Sequence, residues 1–257
     1  MLAYLIKFPI LKRLIPSLSL RILKSLKKNR GFFRVKSLKM FLDFLDPIDR
    51  EIILSQNFEE EEINFLIEKI NLYKVKNFLD IGANCGYYSI FITKNNSKIK
   101  TTAFEPNQEA YYKFNKTLKK NLSLSKRIKL YNFGLSSTNS KLKMKSFIKH
   151  GYAQTGGSSV EGKFEKNKHK ISLENFYNGD EKLRFKNTIL AIKIDVEGHE
   201  LSVLKGLKNL IKNNKCIIQI EIFKKNLKLV NNFLENRKFK IFYKVNKRSN
   251  FFYKNFA

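Results

Sequence analysis

Phe78-Leu79-Asp80-Ile81-Gly82-Ala83-Asn84-Cys85-Gly86-Tyr87-Tyr88 is the stretch on which the fold turns. A short apolar run ends beside an acid and a glycine, and a second glycine precedes a segment of helical character. Gly82 lets the backbone turn tightly and approach a ligand without a Cβ in the way, and Gly86 does the same at the start of the helix. Asn84 stands between them, and asparagine is among the few residues that tolerate positive φ. A strand, turn and helix joined in this way offer N–H groups at the helix N-terminus to a carboxylate or phosphate.

Working outward, strands and helices alternate. Upstream, Phe58 to Leu72 reads as a helix, with Glu59 to Glu62 at its positive end and a stripe of Ile63, Leu66, Ile67 and Ile70. Asn77 to Ile81 reads as a strand, Tyr87 to Lys94 as a helix, Lys100 to Phe104 as a strand and Gln108 to Leu122 as a helix. Ile128 to Asn132 is a third strand, followed by a Ser-, Lys- and Gly-rich stretch from Ser136 to Asn187 expected to be irregular or antiparallel. Ile189 to Ile194 is apolar throughout except Lys193, as suits a strand buried on both faces. Leu201 to Asn213 (helix), Cys216 to Ile222 (strand), Leu227 to Asn236 (helix) and Phe239 to Val245 (strand) complete the alternation. It predicts an α/β fold, a Rossmann-like, doubly wound, mostly parallel sheet with helices on both faces. The expected organisation is a basic N-terminal extension over residues 1–35 and one domain over 36–257.

The chain has 257 residues, 43% of them hydrophobic, enough for one such domain and against global disorder. Its two cysteines and three scattered histidines indicate neither a disulfide framework nor a metal site, and a cytoplasmic, reducing setting is expected. The charge is lopsided: 51 Lys and Arg against 22 Asp and Glu. Eleven of the cations lie in residues 1–39, with no acid, and 14 lie between Lys205 and Lys254. Such an excess attracts polyanions, although the Lys-, Asn-, Ile- and Phe-rich composition also fits simple coding bias. Within residues 1–30, Leu11, Leu14, Ile15, Leu18, Ile22, Leu23 and Leu26 recur at near-helical spacing among cations. The stretch is too charged to span a bilayer. It is expected either to lie on an anionic membrane at the inner face or to pack on its own domain.

Thr102-Ala103-Phe104-Glu105-Pro106 ends the second strand of the alternation with an acid 19 residues after Gly86. In doubly wound folds that position faces ribose hydroxyls. A surface acid before a proline turn is the plainer alternative for Glu105. A nicotinamide dehydrogenase would share both features. Here, however, Asp80 would repel a pyrophosphate, and the loop is Gly-x-x-x-Gly rather than Gly-x-Gly-x-x-Gly. Both details favour a cationic nucleoside, S-adenosyl-L-methionine. A second acidic group follows the strand at Ile189 to Ile194, namely Asp195-Val196-Glu197-Gly198-His199-Glu200. Asp195, Glu197 and His199 are placed to face one cleft at the carboxyl ends of the strands, where such sheets bind ligands.

Three blocks, Asp80 to Ser89, Phe104-Glu105-Pro106-Asn107 and Lys193 to Glu200, resemble the signature segments of FkbM-family methyltransferases. Asn132-Phe133-Gly134-Leu135-Ser136, Lys39-Met40-Phe41-Leu42-Asp43 and Asp46-Pro47-Ile48-Asp49-Arg50 echo the same family more weakly. The resemblance implies a class I methyltransferase fold. It also implies cofactor binding by Asp80, Gly82, Ala83, Asn84, Gly86, Tyr87, Glu105 and Asn107, and methylation of a hydroxyl on a sugar, glycan or other natural product. His199, with a near-neutral reference pKa, is the first candidate base; Asp195 is the second or orients the acceptor, and Glu197 could serve either way. Each also has a structural alternative as a cap or loop acceptor. Two other functions stay in view: an RNA methyltransferase using the basic surface, for which no RNA-binding module is recognisable, and a non-catalytic, membrane-docked protein retaining the fold. No metal is expected, nucleic acid is the less favoured partner, and the sequence does not address oligomeric state.

Overall fold

The computed structural model describes residues 29–149, 152–160, 168–245 and 249–257. The amphipathic stretch expected near the N-terminus lies outside them, apart from its last two residues. The chain opens with a hairpin of β1 (Arg30–Val35) and β2 (Leu38–Asp43), then α1 (Pro47–Ser55) and α2 (Glu60–Leu72). Next come β3 (Asn77–Ile81), α3 (Tyr87–Asn95), β4 (Lys100–Phe104), α4 (Gln108–Lys120), α5 (Leu122–Ser125) and β5 (Ile128–Tyr131). An insert follows: β6 (Gly134–Ser136), β7 (Ser140–Lys149), β8 (Tyr152–Ala153), β9 (His169–Asn178) and α6 (Gly179–Lys182). The last part holds β10 (Ile189–Ile194), α7 (Glu200–Gly206), α8 (Lys208–Lys212), β11 (Lys215–Glu221), α9 (Leu227–Glu235), β12 (Lys240–Lys244) and β13 (Asn250–Lys254).

The central sheet has the order β12-β13-β11-β10-β3-β4-β5. The five strands from β11 to β5 pair in parallel, and β13 runs antiparallel to both of its neighbours. The strand period of two divides the side chains between two cores. Phe78, Ala191, Ile217 and Phe252 pack with α2, α3 and α4 on one face. Leu79, Ile192, Ile218 and Tyr253 pack with α7, α8 and α9 on the other. This is the doubly wound arrangement the alternation predicts. The insert is a second sheet, order β6-β9-β7-β8, with β7 and β9 antiparallel over eight residue pairs.

Two departures from the sequence reading position the site. The segment 30–35, expected to belong to an extension, is strand β1, and Val35 is fully buried in the main core. α1 was not anticipated, yet its start is built as helix starts are: Asp46 accepts from the Ile48 N–H and Pro47 occupies the first turn. Among the described residues, no helix is long and apolar enough to cross a membrane.

Candidate functional site

Strand order reverses at β3, which pairs with β4 on one side and β10 on the other. At such a point the loops after neighbouring strands diverge and leave a crevice at the strands' carboxyl ends. A cleft opens there, where such sheets bind small molecules. Its floor is Ile81, Gly82, Asn84 and Glu105 from the β3 and β4 ends, with Asp195, Val196, Glu197 and His199 after β10. Its roof is Met144 and Phe176 of the insert, Thr155 to Ser158, and Ile48 of α1.

The glycine turn is built for close packing. Gly82 has φ +83°, and a Cβ there would sit 1.8 Å from the Asp195 carbonyl oxygen, so β3 and β10 can adjoin only with glycine at this place. Asn84 adopts φ +48°, the left-handed conformation expected of it. Glu105 stands at the end of β4 with each carboxylate oxygen held by one N–H: Oε2 accepts from Asn84 at 2.7 Å and Oε1 from Asn107 at 2.8 Å. Burial raises its pKa to about 7 in spite of those two donors. Asn107 caps α4 through its side-chain oxygen and donates to Ser146 and Ser158 of the roof.

Several expected cofactor residues take other places. The Asp80 carboxylate is turned away from the cleft, wholly buried, and accepts from the Ser89 N–H and hydroxyl at the first turn of α3. It therefore ties the strand to the helix and does not face a ligand. Gly86 serves packing: a Cβ would lie 2.2 Å from the Phe114 ring. Tyr87 is buried edge-on against Phe58. The loop N–H groups expected to meet a ligand are largely spent within the protein. Gly82 and Ala83 both donate to the Phe104 carbonyl and Asn84 donates to Glu105, while Gly86 donates to the Ala83 carbonyl. Ala83 is buried beneath the loop.

The acidic segment after β10 delivers all three expected side chains to the cleft. Asp195 pairs with Lys193 at 2.9 Å. Lys193 is itself buried, its ammonium 4.7 Å from the centre of the Tyr88 ring and its pKa raised by Asp195, Asp80 and Glu59 against the burial that opposes it. Glu197 has φ +52°, a strained conformation for a residue with a Cβ, of the kind that gathers at functional sites. Burial raises its pKa to about 7, aided by Asp195 and Glu200. His199 is nine-tenths buried, its Nε2 3.0 Å from the Ser136 hydroxyl and its ring edge-on to Phe176. Behind this group, Glu221 at the end of β11 is raised to about 8 by burial and by Asp195, Glu59 and Glu197. Among the described residues, no group of three His, Cys, Asp or Glu side chains is arranged to hold a metal ion.

The sequence reading missed the residues that reach the cleft from a distance. Thr155 donates through its N–H and hydroxyl to Asp46, and its hydroxyl also lies 3.1 Å from the Asn84 side chain. Lys113 of α4 is buried and reaches Asp49 at 2.6 Å, Thr155 at 2.9 Å and Asp46 at 3.5 Å. This network ties α1, α4 and the roof to the glycine turn. The Asp46-to-Arg50 segment hinted at it. Thr155 and Ser136 carry no local signal, because their partners are 109 and 63 residues away.

The family model of the methyltransferase FkbM domain matches residues 80–241. Among solved structures, methyltransferase FkbM from Methylobacillus flagellatus KT is 20% identical, with a TM-score of 0.48, over 70% of this chain and 43% of that one. The chain thus spans less than half the length of that protein. Precorrin-6y C5,15-methyltransferase from Geobacter metallireducens GS-15 is 12% identical over 76% and 86% of the two chains, with a TM-score of 0.44. M. capricolum TrmK in complex with S-adenosyl-homocysteine is 16% identical over 75% and 66%, with a TM-score of 0.40. No curated protein matches the chain.

Proposed function

Because the chain belongs to the FkbM family of S-adenosylmethionine-dependent methyltransferases, we propose that it methylates a hydroxyl of a sugar, glycan or other natural product in the cleft over β3, β4 and β10. The observation that carries this reading is the charge of that cleft. Lys and Arg make up 51 of the 257 residues, yet none is among the described residues lining it, while Glu105, Asp195 and Glu197 are. In a protein so rich in cations, a cavity walled by carboxylates suits a sulfonium and repels a pyrophosphate.

The residues fit the cofactor. Glu105 is pinned by two N–H groups and keeps lone pairs for the ribose hydroxyls, and Gly82 and Asn84 form the floor beside it. Asp80, Gly86, Tyr87, Ala83 and Asn107 act at one remove by holding the turn and the start of α4. When bound, S-adenosylmethionine supplies a methyl group activated on sulfur. The protein's own part is to hold the acceptor against it and remove the hydroxyl proton. Placement of this sort can supply roughly 7–11 kcal/mol, and a positioned base about 10²–10⁴-fold.

Glu197 is the base that this geometry favours. It lines the cleft, and Asp195 and burial bring its pKa to about 7, near the working range. Asp195, paired to Lys193 at 2.9 Å, lies in the same wall of the cleft. His199, anchored to Ser136, orients the acceptor oxygen. The test is transfer of labelled methyl to a panel of hydroxyl-bearing glycans. The wild-type rate should rise with pH through about 7, the range of the Glu197 carboxylate, and level off above it. Glu197→Gln should lose about 10²-fold or more and that limb of the profile. An unchanged profile in Glu197→Gln would move the base to His199. Label found only in RNA would favour the second reading, an RNA methyltransferase drawing on the basic surface.

A further inference from the structure

We infer that the outer face of the insert sheet docks on an anionic lipid surface. β7 and β9 pair antiparallel, so alternate residues of each point away from the cleft. On β7 these are Lys141, Lys143, Lys145 and Phe147; on β9 the apolar ones are Ile171 and Leu173. Leu173 is 58% exposed, Phe147 50% and Ile171 41%, which is high for such side chains on a paired sheet. The register sets Lys143 opposite Leu173 and Lys145 opposite Ile171. Cations and apolar chains therefore alternate across one surface, and among the described residues of the two strands no Asp or Glu shares it; Glu174 is buried on the other side. The inner side of the same strands supplies Met144 and Phe176 to the roof of the cleft.

The pattern commits to a bilayer. Lysines at an anionic surface add attraction, and apolar tips inserted at the headgroup boundary add burial. Single-stranded nucleic acid would also answer to the lysines, but it needs aromatic platforms for stacking bases. Of the three exposed apolar side chains named on this face only Phe147 is aromatic, while Ile171 and Leu173 offer no surface for a base but can be buried among acyl chains. The inference is independent of the acceptor and of the methyl-transfer reading.

The test is co-sedimentation of the full chain with vesicles of phosphatidylcholine alone or with added phosphatidylglycerol, beside Ile171→Ser/Leu173→Ser and Lys141→Gln/Lys143→Gln. The apolar pair leaves net charge unchanged, so it separates this face from the general basicity of the chain. An unchanged far-UV circular dichroism spectrum and urea midpoint would verify that each variant is folded. The expected result is binding that depends on phosphatidylglycerol and weakens about tenfold or more in the apolar double variant, with a clear loss in the lysine pair. Wild-type protein that stays in solution would overturn the inference. So would equal pelleting of the apolar variant, which would assign binding to other basic segments. Loss of polyuridylate binding in the lysine variant with vesicle binding intact would overturn it in favour of nucleic acid.

Discussion

Replacing Lys113 with Met removes the ammonium that holds Asp46 and Asp49 together. Asp49 is fully buried and Asp46 nearly so, and one oxygen of Asp49 already has no hydrogen-bond partner. With Lys113 in place, burial still brings Asp49 to about 6, and the ammonium, helped by the Asp43 N–H, keeps it from going higher. Its loss leaves two carboxylates in a dry site, and breaking a buried pair in this way typically costs 3–5 kcal/mol. For a protein of this size each kcal/mol is worth roughly 2–4 °C, so Tm should fall by about 10 °C. Urea unfolding and calorimetry would measure it. The sign with pH is diagnostic: protonation relieves stranded carboxylates, so the defect should shrink as pH falls toward about 5. Asp49→Asn in the same chain should recover part of the loss. Because Thr155 also leans on this cluster, the variant should bind S-adenosylhomocysteine more weakly. A change in stability under about 1 kcal/mol, or one that grows in acid, would refute the assigned role.

Two further outcomes follow from the geometry. Gly82→Ala sets a Cβ against the Asp195 carbonyl at a positive φ, so it should cost at least about 2 kcal/mol in urea unfolding and abolish cofactor binding, whereas an Ala at Gly157, which has open space around it, should cost about 1 kcal/mol from φ alone. Glu105, Glu197 and Glu221 are raised to about 7, 7 and 8. The native state thus holds protons that the unfolded chain has released, and the contribution of these groups is full below about pH 4.5 and lost as pH rises to about 8. Tm should decline over that window, and Glu105→Gln should flatten the decline.

The central strands were legible because they are apolar on both faces and end in chemically loaded turns. β3, β4 and β10 fall at the bounds the sequence predicts. β13 was not, although Phe251, Phe252 and Tyr253 are strongly strand-forming. Only five residues separate it from β12, too few for the helix that an alternating pattern leads one to expect. Its place between β12 and β11 is fixed by pairing with β11 residues about 30 or more positions earlier, from Glu221 with Asn250 to Ile217 with Lys254. Of the site, Asn84, Glu105, Asp195, Glu197 and His199 were readable from three short blocks. Asp80 was misplaced because strand period decides its direction: next to Leu79 and Ile81, which face the α7 side, it must face α3. Ser136 and Thr155 were invisible because only the folded chain brings them to the turn.

Calorimetric titration of S-adenosylhomocysteine into the wild type and Glu105→Ala tests the cofactor site without knowledge of the acceptor. Micromolar binding by the wild type is expected, with a loss of about ten- to a hundredfold when the Glu105 carboxylate, proposed to receive the ribose hydroxyls, is removed. Equal affinity in the two proteins, or no binding by folded wild type, would contradict this account.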